Sequence, residues 1–131
     1  MSIYDSKINP PIPLATIKLN PKGSPLIGVS TQVWIDTGAD FTIVPVRVVD
    51  ALNYQKKMPT KYVEVKLFLL PGKTLRAYNV DITLDNLGPY STWVVGIDTQ
   101  IGFLGRDILN HFNLVLNGPD RTWSCHKSIT S

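Results

Sequence analysis

The sequence of 131 residues contains few of the residues that bind metals and form disulfides. It has a single cysteine, Cys125, and two histidines, His111 and His126. One cysteine cannot form a disulfide within the chain, and its presence alone favours a reducing compartment. The three residues do not follow the spacing of metal ligands. We therefore expect no metal site.

Long apolar runs are also absent. None approaches the roughly 20 residues that a membrane-spanning helix requires. The first seven residues lack the basic and apolar segments of a signal peptide. We therefore expect no membrane partner. Together with the single cysteine, these features favour a cytoplasmic protein.

Charge is not concentrated in any part of the sequence. The chain has 13 basic and 10 acidic residues, a net charge of +3, and the basic residues are spread out. A nucleic-acid site would need a basic stripe interleaved with aromatic residues, and no such stripe is present. We therefore expect no nucleic-acid partner.

The composition is typical of an all-β domain. Hydrophobic residues make up 44% of the chain, and ten prolines and nine glycines interrupt it. This content of turn residues indicates many short strands, and the length suffices for one hydrophobic core. We predict a flexible N-terminal arm over residues 1–11, a domain over 12–125 and a polar tail over 126–131.

Several elements follow from local patterns. Apolar residues alternate with polar ones over 62–70 and 78–85, and a Pro-Gly-Lys turn at 71–73 separates the two runs. This pattern predicts a β-hairpin. A proline before 46–52 predicts a short helix there, because proline is tolerated in a first helical turn. A second short helix is predicted over 106–112.

The most informative segment is 33–45, where an apolar run leads into Asp36-Thr37-Gly38 and resumes behind it. A carboxylate framed by apolar strands is costly to bury unless hydrogen bonds or a shared charge compensate it. Glycine permits a tight loop, and threonine adds a small hydroxyl. The pattern favours an aspartate at the floor of a cleft. The alternative is an ordinary turn capped by Asp36, since the tripeptide occurs by chance in about a few per cent of such chains.

A second motif, Phe-Leu-Gly-Arg-Asp at 103–107, follows the predicted hairpin. In this order and spacing, the two motifs resemble those of the retropepsin-like aspartic proteases, and the resemblance covers about residues 12–117. It implies a single-domain, closed β-barrel or sandwich with a flap hairpin and one or two short helices. It also implies that the active form is a homodimer.

The resemblance further implies roles for individual residues of an aspartic endopeptidase. Asp36, Thr37 and Gly38 would form the catalytic loop, and Arg106 would support the cleft floor by pairing with Asp40. The implied substrate-binding residues are Gly38, Ala39, Asp40, Leu69, Leu70 and Gly72. No cofactor is implied.

The chain departs from the retroviral members of the family at two points. Their flap tips are rich in glycine, whereas the segment 68–73 reads Phe-Leu-Leu-Pro-Gly-Lys. They also carry an arginine that crosses to the other subunit, and Ile12 stands at that position here. We therefore expect the corresponding ion pair between subunits to be missing.

The homodimer also follows from the number of catalytic motifs, once proteolysis is assumed. Hydrolysis by carboxylates needs two of them beside one water, sharing a proton. The only other similar segment, Asp-Thr-Gln at 98–100, lacks the glycine and the preceding apolar strand, so we reject it. The second carboxylate would then come from a second copy. The substrate would be an extended polypeptide bound as an added strand.

Two other functions compete with the peptidase. One is a catalytically silent dimerisation or peptide-binding module, and the other is a plain β-barrel interaction domain with a coincidental motif.

At the level of single residues, we interpret Asp107 as a charge that suits the start of a helix. Four large residues could serve as core or as cleft walls, and we favour core for each of them. These residues are Trp34, Phe41, Phe68 and Phe103.

Overall fold

The computed structural model describes residues 2–66 and 72–127. Strands contain 56% of these residues and helices 12%, which confirms the prediction of an all-β fold. The strands are β1 (Ser2–Asp5), β2 (Ile12–Pro21), β3 (Val29–Ile35), β4 (Ile43–Pro45), β5 (Thr60–Val65), β6 (Lys73–Leu84), β7 (Leu87–Ile97), β8 (Gly102–Leu104), β9 (Phe112–Asn117) and β10 (Thr122–Lys127). The helices are α1 (Val46–Gln55) and α2 (Arg106–Leu109).

Six of the strands close into a barrel. Their order is β6-β7-β4-β8-β3-β2, and β2 pairs back with β6 to complete the ring. The pairs β3–β8 and β4–β7 are parallel, whereas the other pairs in the ring are antiparallel. Closure satisfies the backbone groups that an open sheet would leave at its edges. The predicted closed barrel is therefore confirmed.

Alternating side chains of the barrel strands form the core. Along β6, Val80, Ile82 and Leu84 are at most 1% exposed, as are Ile17 and Leu19 on β2. This alternation, visible in the sequence, places the polar residues between them on the other face. Each fully buried aliphatic side chain contributes about 1.5–3 kcal/mol relative to an exposed one.

Helix α1 covers one side of the barrel. It begins directly after Pro45, as predicted, and continues to Gln55. Val48, Val49 and Leu52 are its buried residues and belong to the main core. Spacings of one, three and four residues put these side chains on one face of a helix, which explains why the segment packs here.

The predicted hairpin is confirmed for its two strands. β5 and β6 pair antiparallel from Thr60 opposite Tyr78 to Val65 opposite Lys73. Val65 is buried in a second, smaller apolar cluster, whereas Glu64 is exposed. The hairpin tip, 67–71, lies outside the described residues.

The prediction of a flexible arm over 1–11 is wrong for residues 2–5. They form β1, which pairs with both β2 and β10. The Asp5 side chain also receives a hydrogen bond from a tryptophan of β3. Short-range sequence patterns carry no signal for pairing across such distances in the chain.

The C-terminal segment departs slightly from its predicted boundaries. α2 ends at Leu109 and not at residue 112, because β9 begins at Phe112. β9 and β10 form a hairpin that runs to Lys127, two residues into the predicted polar tail. Neither of the helices in the described ranges is long and apolar enough to cross a membrane.

Candidate active site

Asp36 follows the last residue of β3 and opens a tight loop. Its backbone N–H donates to the carbonyl of Leu104 on the parallel neighbour β8, at 3.0 Å. The N–H of Gly38 donates to Oδ1 of Asp36 at 3.0 Å, and the N–H of Ala39 donates to the Asp36 carbonyl at 3.2 Å. These bonds orient a half-buried carboxylate. Within the described residues, Oδ2 receives no hydrogen bond.

The glycine of this loop provides space beside the carboxylate. Gly38 does not adopt the left-handed backbone region. A Cβ atom at this position would lie 3.3 Å from Oδ1 of Asp36, which is a tight contact. Thr37 and Gly38 are both exposed. The Thr37 hydroxyl makes no hydrogen bond within the described part of the chain, so its side chain is free to contact another molecule.

A cleft of about 510 Å³ opens beside Asp36. Gly38, Ala39 and Asp40 line it from the loop, so the structure brings these predicted substrate-binding residues together with Asp36. Gly72 does not line the cleft, although it lies against Glu64, which does. The other two predicted positions, Leu69 and Leu70, lie outside the described residues.

Apolar side chains make up much of the cleft lining. Phe41, Ile43 and Phe103 contribute to it, and so does Val65 of β5, next to the charged Glu64 and Lys66. Both phenylalanines are half-buried. Phe41 and Phe103 combine the two roles considered for them, because both pack against the smaller apolar cluster and both line the cleft. Trp34 lies beside Phe103 on the neighbouring strand and does not line the cleft, and Phe68 is outside the described residues.

Arg106 pairs with Asp40, as the resemblance implied. Nη2 of Arg106 binds Oδ1 of Asp40, and the backbone N–H of Arg106 donates to the carbonyl of Ala39 at 2.9 Å. The two side chains remain 47% and 79% exposed. Exposed pairs typically contribute 0–1 kcal/mol, because solvent screens them and two long side chains must be ordered. The backbone bond is therefore the firmer link between α2 and the loop.

Asp107 has a structural role that the sequence interpretation missed. It lies in the first turn of α2, as expected, but its carboxylate also ties three elements together. Oδ2 accepts from the Thr42 N–H at 3.1 Å and from the Thr92 hydroxyl at 2.6 Å, and Oδ1 accepts from the Thr42 hydroxyl at 2.9 Å. Thr42 is completely buried and accepts from the Gly105 N–H. This network anchors the end of the loop.

Gly105 allows α2 to approach the loop closely. A Cβ atom there would lie 2.7 Å from the carbonyl carbon of Phe41 and 3.0 Å from the carbonyl oxygen of Ala39. Real side chains do not tolerate such distances, so the backbone would have to move. The second sequence motif thus supplies a glycine for contact and an aspartate for hydrogen bonding. Gly105 and Asp107 thereby hold the Asp-Thr-Gly loop in place.

The Asp107 hydrogen-bond network and the Arg106–Asp40 ion pair should contribute differently to stability. We expect Asp107→Ala to lower the free energy of unfolding by about 1–3 kcal/mol for each buried donor left without a partner, chiefly those of Thr42. We expect Arg106→Ala to change it by about 0–1 kcal/mol. Urea denaturation of both variants measures this difference. Equal losses in the two variants would contradict this account of the loop.

The single cysteine and the aspartate of the rejected motif do not line the cleft. Partial burial, with a smaller contribution from nearby Asp85, raises the pKa of the Cys125 thiol and so disfavours the thiolate. Asp98 of the rejected Asp-Thr-Gln segment is exposed and does not line the cleft. A second cavity of about 330 Å³, between β1, β2 and β10, contains none of the predicted site residues.

The site also contains no cluster suited to a metal. Within residues 2–66 and 72–127, no three His, Cys, Asp or Glu side chains group closely enough to hold a metal ion.

A comparison with protein-family models finds no match to this chain. A comparison with curated proteins finds no match either.

Proposed function

We propose that this chain is a retropepsin-like aspartic endopeptidase that works as a homodimer, with Asp36 of each copy forming the catalytic dyad. The observation that carries the proposal is the setting of Asp36. Its carboxylate is oriented by the Gly38 N–H and lines a cleft to which several apolar side chains contribute. The adjoining Thr37 and Gly38 are exposed, which leaves this side of the loop accessible to a second copy.

The other carboxylates that line the cleft are poor partners for Asp36 within one chain. Asp40 is paired with Arg106. Glu64 lies against Gly72 of its own hairpin, where an added side chain would collide with its carboxylate. A dyad needs two carboxyl groups close enough to share one proton. Asp36 of a second copy, related by a twofold axis through the exposed loop, meets this requirement.

The chemistry then follows from the shared proton. The ionised Asp36 takes a proton from a water molecule, which attacks the carbonyl carbon of the peptide bond. The protonated Asp36 of the other copy donates its proton to the carbonyl oxygen. When the tetrahedral intermediate collapses, the C–N bond breaks and the first Asp36 gives the proton that it took from water to the leaving nitrogen, while the second Asp36 takes a proton back from a hydroxyl of the intermediate. Two chain ends and the original dyad result, so no cofactor is required.

The cleft is suited to an extended polypeptide. Gly38 is exposed at the cleft, and its backbone carbonyl, which accepts no hydrogen bond within the described residues, can accept one from a substrate main chain, as an added strand requires. Ile43, Val65 and Phe103 would bury apolar side chains of the substrate beside the scissile bond. Asp40 and Glu64 lie at the cleft and would contact more distant polar groups.

A peptide inhibitor with a hydroxyl group in place of the scissile carbonyl tests this proposal, because its hydroxyl mimics the tetrahedral intermediate. We expect it to inhibit cleavage of an unstructured polypeptide and to bind with a stoichiometry of one inhibitor to two chains in calorimetry. Binding without any cleavage would favour the silent module instead. The absence of both binding and cleavage would favour the plain interaction domain.

A further inference from the structure

Asp5 is a charged residue that the proposed mechanism does not use and that is nevertheless buried. Its exposed fraction is 8%, and it forms no ion pair within the described residues. Oδ1 accepts from the backbone N–H of Lys7 at 3.0 Å, and Oδ2 accepts from the indole N–H of Trp34 at 3.1 Å. Burying a carboxylate costs free energy unless its hydrogen bonds are good. Both oxygens are therefore committed to fixed donors.

The second of these donors connects Asp5 to the candidate active site. Trp34 lies two residues before Asp36, on β3, and is directly opposite Phe103 in the parallel pairing of β3 with β8. Their ring centroids are 5.4 Å apart, with the planes tilted by 59°. Phe103 lines the cleft, whereas Trp34, beside it on β3, does not. A continuous series of contacts thus runs from Asp5 through the indole to the cleft wall.

We propose that Asp5 is a positioning residue that determines which apolar side chains the cleft accepts. A hydrogen bond at the indole nitrogen fixes the orientation of the Trp34 ring, and this ring limits how far Phe103 can tilt. Without the bond, the indole can reorient and Phe103 can follow, so the cleft wall becomes less defined. The inference rests on the proposed peptidase function, because it concerns the selection of substrates.

Asp5→Asn tests the hydrogen bond with little change in shape. An asparagine can still accept from the Lys7 N–H through its one oxygen, but it then presents an NH₂ donor to the indole donor. The local turn is kept while the bond to Trp34 is lost. We compare kcat/KM for two peptides that differ only in one residue beside the scissile bond, phenylalanine or alanine. We expect the preference for phenylalanine to fall about five- to tenfold, mainly through a higher KM.

Trp34→Phe provides the matched variant, because it removes the indole N–H but keeps an aromatic ring. We expect it to reduce the preference as well, and we expect Asp5→Asn to have no further effect in its background, since the bond is already absent. NMR spectra provide a readout that does not depend on activity. The indole resonance of Trp34 should shift in Asp5→Asn. That of Trp123, whose indole donates to Ile3 and Leu14, should not, which shows that β1 is still in place.

The outcomes separate this proposal from the proposed function. If the wild-type protein cleaves but Asp5→Asn keeps its preference, the positioning role is overturned and the peptidase stands. If the wild-type protein cleaves neither peptide, nor any unstructured polypeptide, both are overturned. If the Trp123 resonance shows that β1 has detached in Asp5→Asn, Trp34→Phe decides the question, because it leaves Asp5 and the turn at Lys7 intact. An unchanged preference for phenylalanine in Trp34→Phe overturns the positioning role.

Discussion

Replacing Asp36 with asparagine should abolish cleavage while leaving the fold intact. Asparagine cannot take a proton from water or carry the shared proton, and general acid–base catalysis of this kind contributes about 10²–10⁴-fold in rate. The asparagine oxygen can still accept from the Gly38 N–H, so the loop should keep its conformation. We therefore expect a fall in kcat of about a thousandfold or more at an unchanged melting temperature.

Asp98→Asn is the matched control for this experiment. It makes the same change in charge and volume at the exposed aspartate of the Asp-Thr-Gln segment. We expect full activity in this variant. A purified Asp36→Asn protein that retains a tenth of the wild-type rate would overturn the assignment of Asp36. A comparable loss in Asp98→Asn would show that the effect is not specific to the Asp-Thr-Gly loop.

The parts of the fold that could be predicted from the sequence are those set by local pattern. The alternation of Val80, Ile82 and Leu84 with polar residues identified β6, and the proline before residue 46 identified the start of α1. The composition indicated an all-β domain. These signals are read over a few neighbouring residues, and each reflects one periodicity or one turn preference.

The parts that were missed depend on contacts between distant segments. β1 has no strong strand pattern, and it is ordered because β2 and β10 pair with it. The roles of Asp107 and Asp5 depend on partners that the barrel brings together, Thr42 and Thr92 in one case and Trp34 in the other. A carboxylate near a helix start looks the same in the sequence whether it faces solvent or a buried hydroxyl. Only closure of the barrel distinguishes the two.

The candidate site shows the same division. The Asp-Thr-Gly loop and its contact with the Gly-Arg-Asp segment were expected from the motifs, and the structure brings them together through Ala39 and Gly105. The motifs gave no indication that the Arg106–Asp40 pair is largely exposed. The degree of burial depends on how α2 lies against the loop, and the short α2 has too few residues for its sequence to define this orientation.

Mixing the inactive and active chains should reveal the dimer directly. The proposed dyad takes one Asp36 from each copy, so a mixed dimer of wild-type and Asp36→Asn chains has only one carboxylate. We expect it to be inactive, because one carboxyl group cannot supply both the general base and the general acid. When an equal amount of Asp36→Asn chain is added to a fixed amount of wild-type chain, random pairing leaves about half of the original number of wild-type dimers. The measured rate should therefore fall to about half.

The concentration for this experiment is chosen above the dimer dissociation constant, measured by sedimentation. Dilution below that constant should also lower the specific activity, because a monomer contains half of the site. The Asp98→Asn chain serves again as the control, since added dimers of that variant should contribute activity and not remove it. A rate that is unaffected by the Asp36→Asn chain, together with specific activity that is constant on dilution, would mean that one chain holds the complete site. The second carboxylate would then have to come from within the chain, and Glu64, the cleft carboxylate without an ion pair in the described residues, would be the first candidate to replace.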